Sequence, residues 1–312
     1  MKTLLVLTDF SKNARTAAEA AINLAIKFQF GRILLMNTYI NALFLPSADY
    51  IALPPDYYTA FKDESITQMK IECLRLRDMI ANLELPLDKI SIETINLAGT
   101  VAEHLDTVVQ EQNVTLIVMG ARRKIAGDFL FGSTINATIQ KANCPVLIIP
   151  QGKSIVHYKH IVFATDLELK DIEAITYLID LYQDEHVHLS ICHVATPALL
   201  IPDFEEEDRY GRFINALSKL DLKNISYNGL EGTNITKALE KFRLDAKADL
   251  FVLIHRKHSF LWRIFHQSPS KSLLKYHDIP LMILPENSVK KNQRPHVKKS
   301  TYRKINQALY IL

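Results

Sequence analysis

A duplication constrains this chain more than any other feature. LLVLTDFS at 4–11 is an apolar run ending in Thr8-Asp9, and about half the chain later HIVFATDLE at 160–168 repeats the pattern with Thr165-Asp166. Three further pairs follow in the same order: LAGT (97–100) with LEGT (230–233), LIVMGARR (116–123) with LFVLIHRK (250–257), and CPVLIIP (144–150) with IPLMILP (279–285). Four collinear matches describe one folding unit used twice. A chain of 312 residues, 48% of them hydrophobic, is long enough to fill two cores. The expected domains are therefore 1–151 and 156–287, with a tail at 288–312. The join falls at Pro150-Gln151-Gly152-Lys153-Ser154, where turn formers and polar residues interrupt the apolar pattern.

Within each half the periodicity alternates. In the first, Ala14, Ala17, Ala18, Ala21, Leu24, Ala25 and Phe28 form one helical stripe over 11–28, with Ser11 placed to cap it. A strand follows at 33–39, then an excursion holding Pro46, Pro54 and Pro55, and a helix at 63–83. Strands at 90–97, 116–119 and 146–149 alternate with helices at 101–112 and 133–142. Short apolar strands separated by helices predict an α/β fold: two tandem five-stranded parallel sheets, each covered on both faces. The apolar closing strands at 146–149 and 281–284 are edges that invite pairing, so an intramolecular pseudo-dimer of the two domains is expected, with homo-oligomerisation as a further option.

Ligands of such sheets gather at the carboxyl ends of the strands. That rule brings Thr8 and Asp9, Asn37, and the stretch from Met119 and Gly120 onward to one edge. An acid in the first βα turn can accept hydrogen bonds from ribose hydroxyls. Glycines at a strand end let backbone N–H groups approach an anion, and Gly132-Ser133-Thr134 opens a helix whose unpaired N–H groups favour phosphate. GDFLFGST at 127–134 has nearly the spacing of a Walker loop, but Ser133 stands where the lysine belongs, so that class of NTPase is set aside. His255 and His258, one helical turn apart, lack a neighbouring carboxylate or cysteine to complete a metal site, and no metal is expected.

The strand ending in Thr8-Asp9, the run VMGARR followed by GST before a helix, and the closing CPVLIIP, all repeated once, resemble the universal stress protein family in its tandem-domain form. The likeness spans 1–287. It implies Rossmann-like, adenine nucleotide alpha hydrolase-like domains that pair through their last strands. In one subclass it also implies ATP, with magnesium, held by a G-x2-G-x9-G-[ST] loop and an acid beside adenine and ribose. Carried over by position, the acid is Asp9, the first glycine Gly120 after Met119, and the last pair Gly132-Ser133, followed by Thr134. The second glycine position is Arg123, and the interval from Gly120 to Gly132 is one residue short. Arg122 and Arg123 are cationic donors that offset this. In the second half Asp166 is kept, while the glycine positions fall on Ile254, Lys257 and His266. The resemblance thus implies a regulatory stress-response protein that binds an adenine nucleotide in its first domain and hydrolyses it slowly at most. The alternative is a nucleotide-free scaffold of the same fold.

The formal net charge of +3 conceals a division. After Glu286 the chain carries Lys290, Lys291, Arg294, Lys298, Lys299, Arg303 and Lys304 with no acid, so the body is acidic and the tail basic. Such a tail offers itself to RNA, anionic lipid or an acidic partner and is expected to be dispensable for folding, unless Tyr302, Ile305, Leu309 and Tyr310 dock as a helical face. Three cysteines without a C-x-x-C pair read as buried thiols. The short apolar run at the N-terminus, cut off by Asp9, is no signal peptide, and no stretch is long enough to span a bilayer. A cytoplasmic location is expected.

Overall fold

In the computed structural model the structure describes residues 2–39, 55–83, 90–123, 129–130, 133–153, 158–182, 187–195, 204–220, 224–256 and 278–286. The chain divides into two compact units between residues 155 and 156, with residues 122–123 and 129–130 grouped with the second unit. The tail from 287, together with Pro46, Pro54, His258 and His266, lies outside the described residues.

The first unit opens with β1 (Thr3–Leu7), whose five side chains are all buried, as a strand covered on both faces requires. Helix α1 (Lys12–Lys27) begins at Ser11, whose Oγ accepts a hydrogen bond from Ala14 N, so the expected cap is present. Its buried stripe is built largely from alanine, which lets the helix lie close against the sheet. β2 (Arg32–Tyr39) follows, and then α2 (Pro55–Ala81). This helix starts at Pro55, ahead of the expected residue 63. Proline is tolerated at the first helical position because its missing N–H would have had no intrahelical acceptor there. On α2, Glu72 is buried but paired: Arg75 Nη2 lies 2.7 Å from its Oε1, and Arg75 Nη1 donates to Glu19 of α1 at 2.8 Å.

Next along the chain come β3 (Ser91–Ala98), α3 (Val101–Glu111), β4 (Val114–Arg123), β5 (Phe129–Leu130), α4 (Ser133–Lys141) and β6 (Val146–Pro150). LAGT is the turn into α3. Gly99 takes φ 110°, a conformation that glycine adopts without strain, and Glu103 accepts the Thr100 N–H at 2.8 Å. The strand order is β3-β2-β1-β4-β6, all parallel, with β5 antiparallel beside the end of β4.

The second unit repeats the plan with β7 (His160–Ala164), α5 (Asp171–Tyr182), β8 (His188–Ala195), α6 (Phe204–Ser218), β9 (Ile225–Glu231), α7 (Ile235–Asp245), β10 (Leu250–His255) and β11 (Leu281–Pro285). Its order is β9-β8-β7-β10-β11, again parallel throughout. The α/β class with parallel sheets and alternating helices is therefore as the sequence predicts. LEGT departs slightly from its counterpart: α7 is capped by Asn234, one residue later, whose Oδ1 accepts Lys237 N at 3.0 Å. Cys73, Cys144 and Cys192 are free and buried, and burial pushes the Cys144 thiol up to about 12. Among the described residues no helix is long and apolar enough to cross a membrane.

Candidate functional site

The carboxyl end of β1 turns sharply through Thr8-Asp9-Phe10-Ser11. Thr8 N donates to Met36 O at 2.9 Å, which ties the turn to β2. Thr8 Oγ1 accepts from Phe10 N at 3.1 Å, and Asp9 Oδ1 accepts from Ser11 N at 3.1 Å. These short-range bonds hold Phe10 at φ 61°, a left-handed conformation uncommon for a bulky side chain and worth roughly 1 kcal/mol or more of strain. The result is an exposed Asp9 at the rim of the sheet. The second unit makes the same turn. Thr165 N donates to Cys192 O, Leu167 N donates to Thr165 Oγ1, both at 2.9 Å, and Leu167 has φ 62°. Repetition of Thr-Asp thus records a turn: threonine supplies the acceptor that the kinked backbone needs.

Asn37 is buried beneath this turn. Its Nδ2 donates to Thr8 O at 2.7 Å, its Oδ1 accepts from Ser65 Oγ at 2.7 Å, and Ser65 Oγ accepts in turn from Asn96 Nδ2 at 2.5 Å. A chain of side-chain amides and one hydroxyl therefore joins the ends of β1, β2 and β3 to α2. Only Asn37 was suggested by the sequence, because Ser65 and Asn96 carry no motif. Replacing Asn37 by Ala is expected to destabilise the protein by about 1–3 kcal/mol, since it strands the Thr8 carbonyl and the Ser65 hydroxyl away from water. Thermal unfolding checks this, and an unchanged midpoint would contradict the network. In the second unit His193 replaces this asparagine, its Nδ1 hydrogen-bonded to Thr165 O at 2.9 Å. A carbonyl can only accept, so Nδ1 carries the proton.

β4 lies beside β1 with Leu7 opposite Met119. Met119 is buried in the core, and Gly120 follows. A Cβ on Gly120 would stand 2.3 Å from Asn13 O and 2.4 Å from Asn13 C, so this glycine admits the start of α1 against the end of β4. The strand does not stop at Met119. It continues to Arg123, and its last two residues pair antiparallel with β5, Arg122 opposite Leu130 and Arg123 opposite Phe129. Expecting a loop directly after Met119 thus placed the strand end four residues early. Ser133 and Thr134 are the exposed first residues of α4. Gly132, like 124–128, lies outside the described residues.

At the corresponding edge of the second unit the acid is engaged by a cation. Arg256, the residue after β10, places Nη2 2.6 Å from Asp171 Oδ1, Nε 3.3 Å from Glu286 Oε1 and Nη1 3.9 Å from Asp166 Oδ2. Lys170 Nζ reaches Glu286 Oε1 at 3.2 Å, and Asp171 Oδ2 accepts from Thr165 Oγ1 at 2.7 Å. Burial alone would lower the guanidinium pKa, but Asp171 foremost, then Asp166 and Glu286, raise it on balance. Sequence reasoning missed this cluster. It assembles Asp171, Arg256 and Glu286 from three distant segments, and the one available signal was an added acid at 171 and at 286 relative to the first repeat. Among the described residues no group of three histidine, cysteine or acidic side chains could hold a metal.

The sequence model of the universal stress protein family matches residues 1–150. No curated protein matches the chain by sequence. Among solved structures the chain is similar to a universal stress protein from Archaeoglobus fulgidus DSM 4304, with 18% identity over 91% of this chain and 98% of the other and a TM-score of 0.67. A chain from Pseudomonas aeruginosa UCBPP-PA14, described under the same family name, aligns over 94% of this chain and 96% of its own with 12% identity and a TM-score of 0.54. At such identities the likeness is one of fold.

Proposed function

With residues 1–150 belonging to the universal stress protein family, we propose that the chain is a regulatory stress-response protein whose first unit binds an adenine nucleotide, ATP with magnesium, at the carboxyl ends of β1 and β4. The observation that carries this reading is the exposed carboxylate of Asp9, presented at that edge by a strained turn. A carboxylate there suits the hydroxyls of a ribose, and the exposed N-terminal residues Ser133 and Thr134 of α4 suit phosphate oxygens. Asn37 and Thr8 serve the site from below by fixing the turn. Met119 and Gly120 define its wall. Arg122, Arg123 and Gly132 enter the reading on sequence correspondence alone. Binding, with at most slow hydrolysis, is the role this reading assigns to these residues.

The nucleotide-free scaffold is favoured by one specific observation. The close approach that Gly120 permits is used by Asn13 of α1, so that glycine has a packing reason to exist without any ligand. Mass spectrometry of small molecules released from freshly purified protein separates the readings. An adenine nucleotide at near-stoichiometric yield is expected. If none is released and millimolar ATP leaves the melting temperature unmoved, the scaffold reading replaces this one.

A further inference from the structure

The two units can be compared position by position through their own sheet registers. Thr8 and Thr165 make the same bond to the neighbouring strand, and Phe10 and Leu167 share the left-handed turn, so Asp171 corresponds to Ala14. Val6 opposite Val118 and Phe163 opposite Val252 equate Arg256 with Arg122. Ala121 opposite Pro150 and His255 opposite Pro285 equate Glu286 with Gln151. Of the three carboxylates around Arg256, the first repeat keeps one, Asp9. The other two acids belong to the second unit alone, and their side chains lie against the guanidinium where parallel α/β sheets take their ligands.

The enclosure is tight. Side-chain exposure is 12% for Arg256, 11% for Asp166 and 1% for Asp171. Three carboxylates face two cations, Arg256 and Lys170, so the cluster carries a net negative charge, and the guanidinium donates to Asp171 and Glu286 with Asp166 as a longer ion-pair partner. An incoming phosphate would meet Lys170 and Glu286, the more exposed members of the cluster, before the guanidinium. It would also have to displace charge-assisted hydrogen bonds to reach the arginine.

Helix placement is consistent with a crevice arranged around this residue. Where the first unit has Gly120 and starts α1 at Lys12, the second has Ile254, and α5 starts at Asp171, two residues later in equivalent numbering. The later start makes Asp171 the first residue of α5, where its carboxylate is favoured by the helix dipole as well as by Arg256.

We propose that Arg256, held by Asp171 and Glu286, is an internal occupant of the second crevice that excludes phosphate-bearing ligands, so that these two acids set the chain's specificity for one nucleotide per molecule. The inference rests on the first-unit reading for the count of one nucleotide per molecule and for the choice of probe, whereas exclusion from the second crevice does not depend on it. Neutralising both acids while keeping their hydrogen-bonding shape, as in D171N with E286Q, releases the guanidinium charge to an external anion. The full chain and this double variant are titrated calorimetrically with inorganic pyrophosphate and with ATP, and the stoichiometry of each is compared with that of the parent. One additional site is expected, weakened about ten- to a hundredfold when R256Q is added. E286Q alone, at a carboxylate 30% exposed, provides the same test with less risk to folding and is expected to gain weaker pyrophosphate binding. An unchanged stoichiometry in folded E286Q overturns the proposal, as does an added site whose affinity R256Q leaves unchanged. Failure of the first-unit reading is a different result: the parent then binds no nucleotide, whereas the gain over the parent is scored whatever the parent's own number.

Discussion

Gly120→Ala is expected to lower the melting temperature by about 6–12 °C, the equivalent of about 3 kcal/mol in a unit of this size. The added methyl would stand 2.3 Å from Asn13 O, 2.4 Å from Asn13 C and 2.9 Å from Ala14 N. All three are backbone atoms, so no side chain can rotate away. Relief requires α1 to move from a sheet it contacts through a stripe of fully buried alanines, or β4 to move out of register with β1 and β6. Gly211→Ala in α6 is the matching control. Nothing lies within 4 Å of that Cβ, and alanine in a helix interior is favoured over glycine by about 1 kcal/mol. Calorimetric unfolding of both variants should therefore give shifts of opposite sign. A Gly120→Ala loss below about 1 kcal/mol would mean that the close contact with Asn13 does not exist.

The fold was readable in the sequence because strand and helix periodicities are local and each was written twice. The Ser11 cap and the alanine stripe of α1 follow from side-chain types that have few other uses in that pattern. What could not be read depends on contacts between distant segments. Gly120 looked like a phosphate-binding glycine, and only the placement of Asn13 gives it a packing role. Asn37 could be assigned to the correct edge, but Ser65 and Asn96, which share its hydrogen bonds, belong to a helix and a strand whose register the sequence does not reveal. Arg256 sits in sequence among histidines and a lysine that complete no metal site, and its ion pairs are hidden there because the acids that hold it come from the start of α5 and the end of β11. The continuation of β4 to Arg123 was hidden for a related reason: two arginines in sequence read as a loop, and β5, a two-residue strand, leaves no periodicity to detect.

The second large effect expected is the loss of nucleotide on removing the first of the two turn acids. Asp9 and Asp166 occupy the same position of the same turn, yet Asp9 is exposed while Asp166 is largely buried and lies 3.9 Å from Arg256. A charge-assisted contact to ribose is worth roughly 1.5–3 kcal/mol, about ten- to a hundredfold in dissociation constant. Asp9→Ala also removes the acceptor for Ser11 N, but at an exposed turn water takes its place, so folding should be little affected. Asp166→Ala alters an internal ion pair and leaves nucleotide affinity as it was. Calorimetric titration of the parent chain and these two variants with ATP and magnesium is the most direct test that one unit binds and the other does not. The account predicts one site in the parent, a ten- to a hundredfold weaker site in Asp9→Ala and an unchanged one in Asp166→Ala. Equal losses in the two variants, or no binding by the parent at millimolar nucleotide, would contradict it.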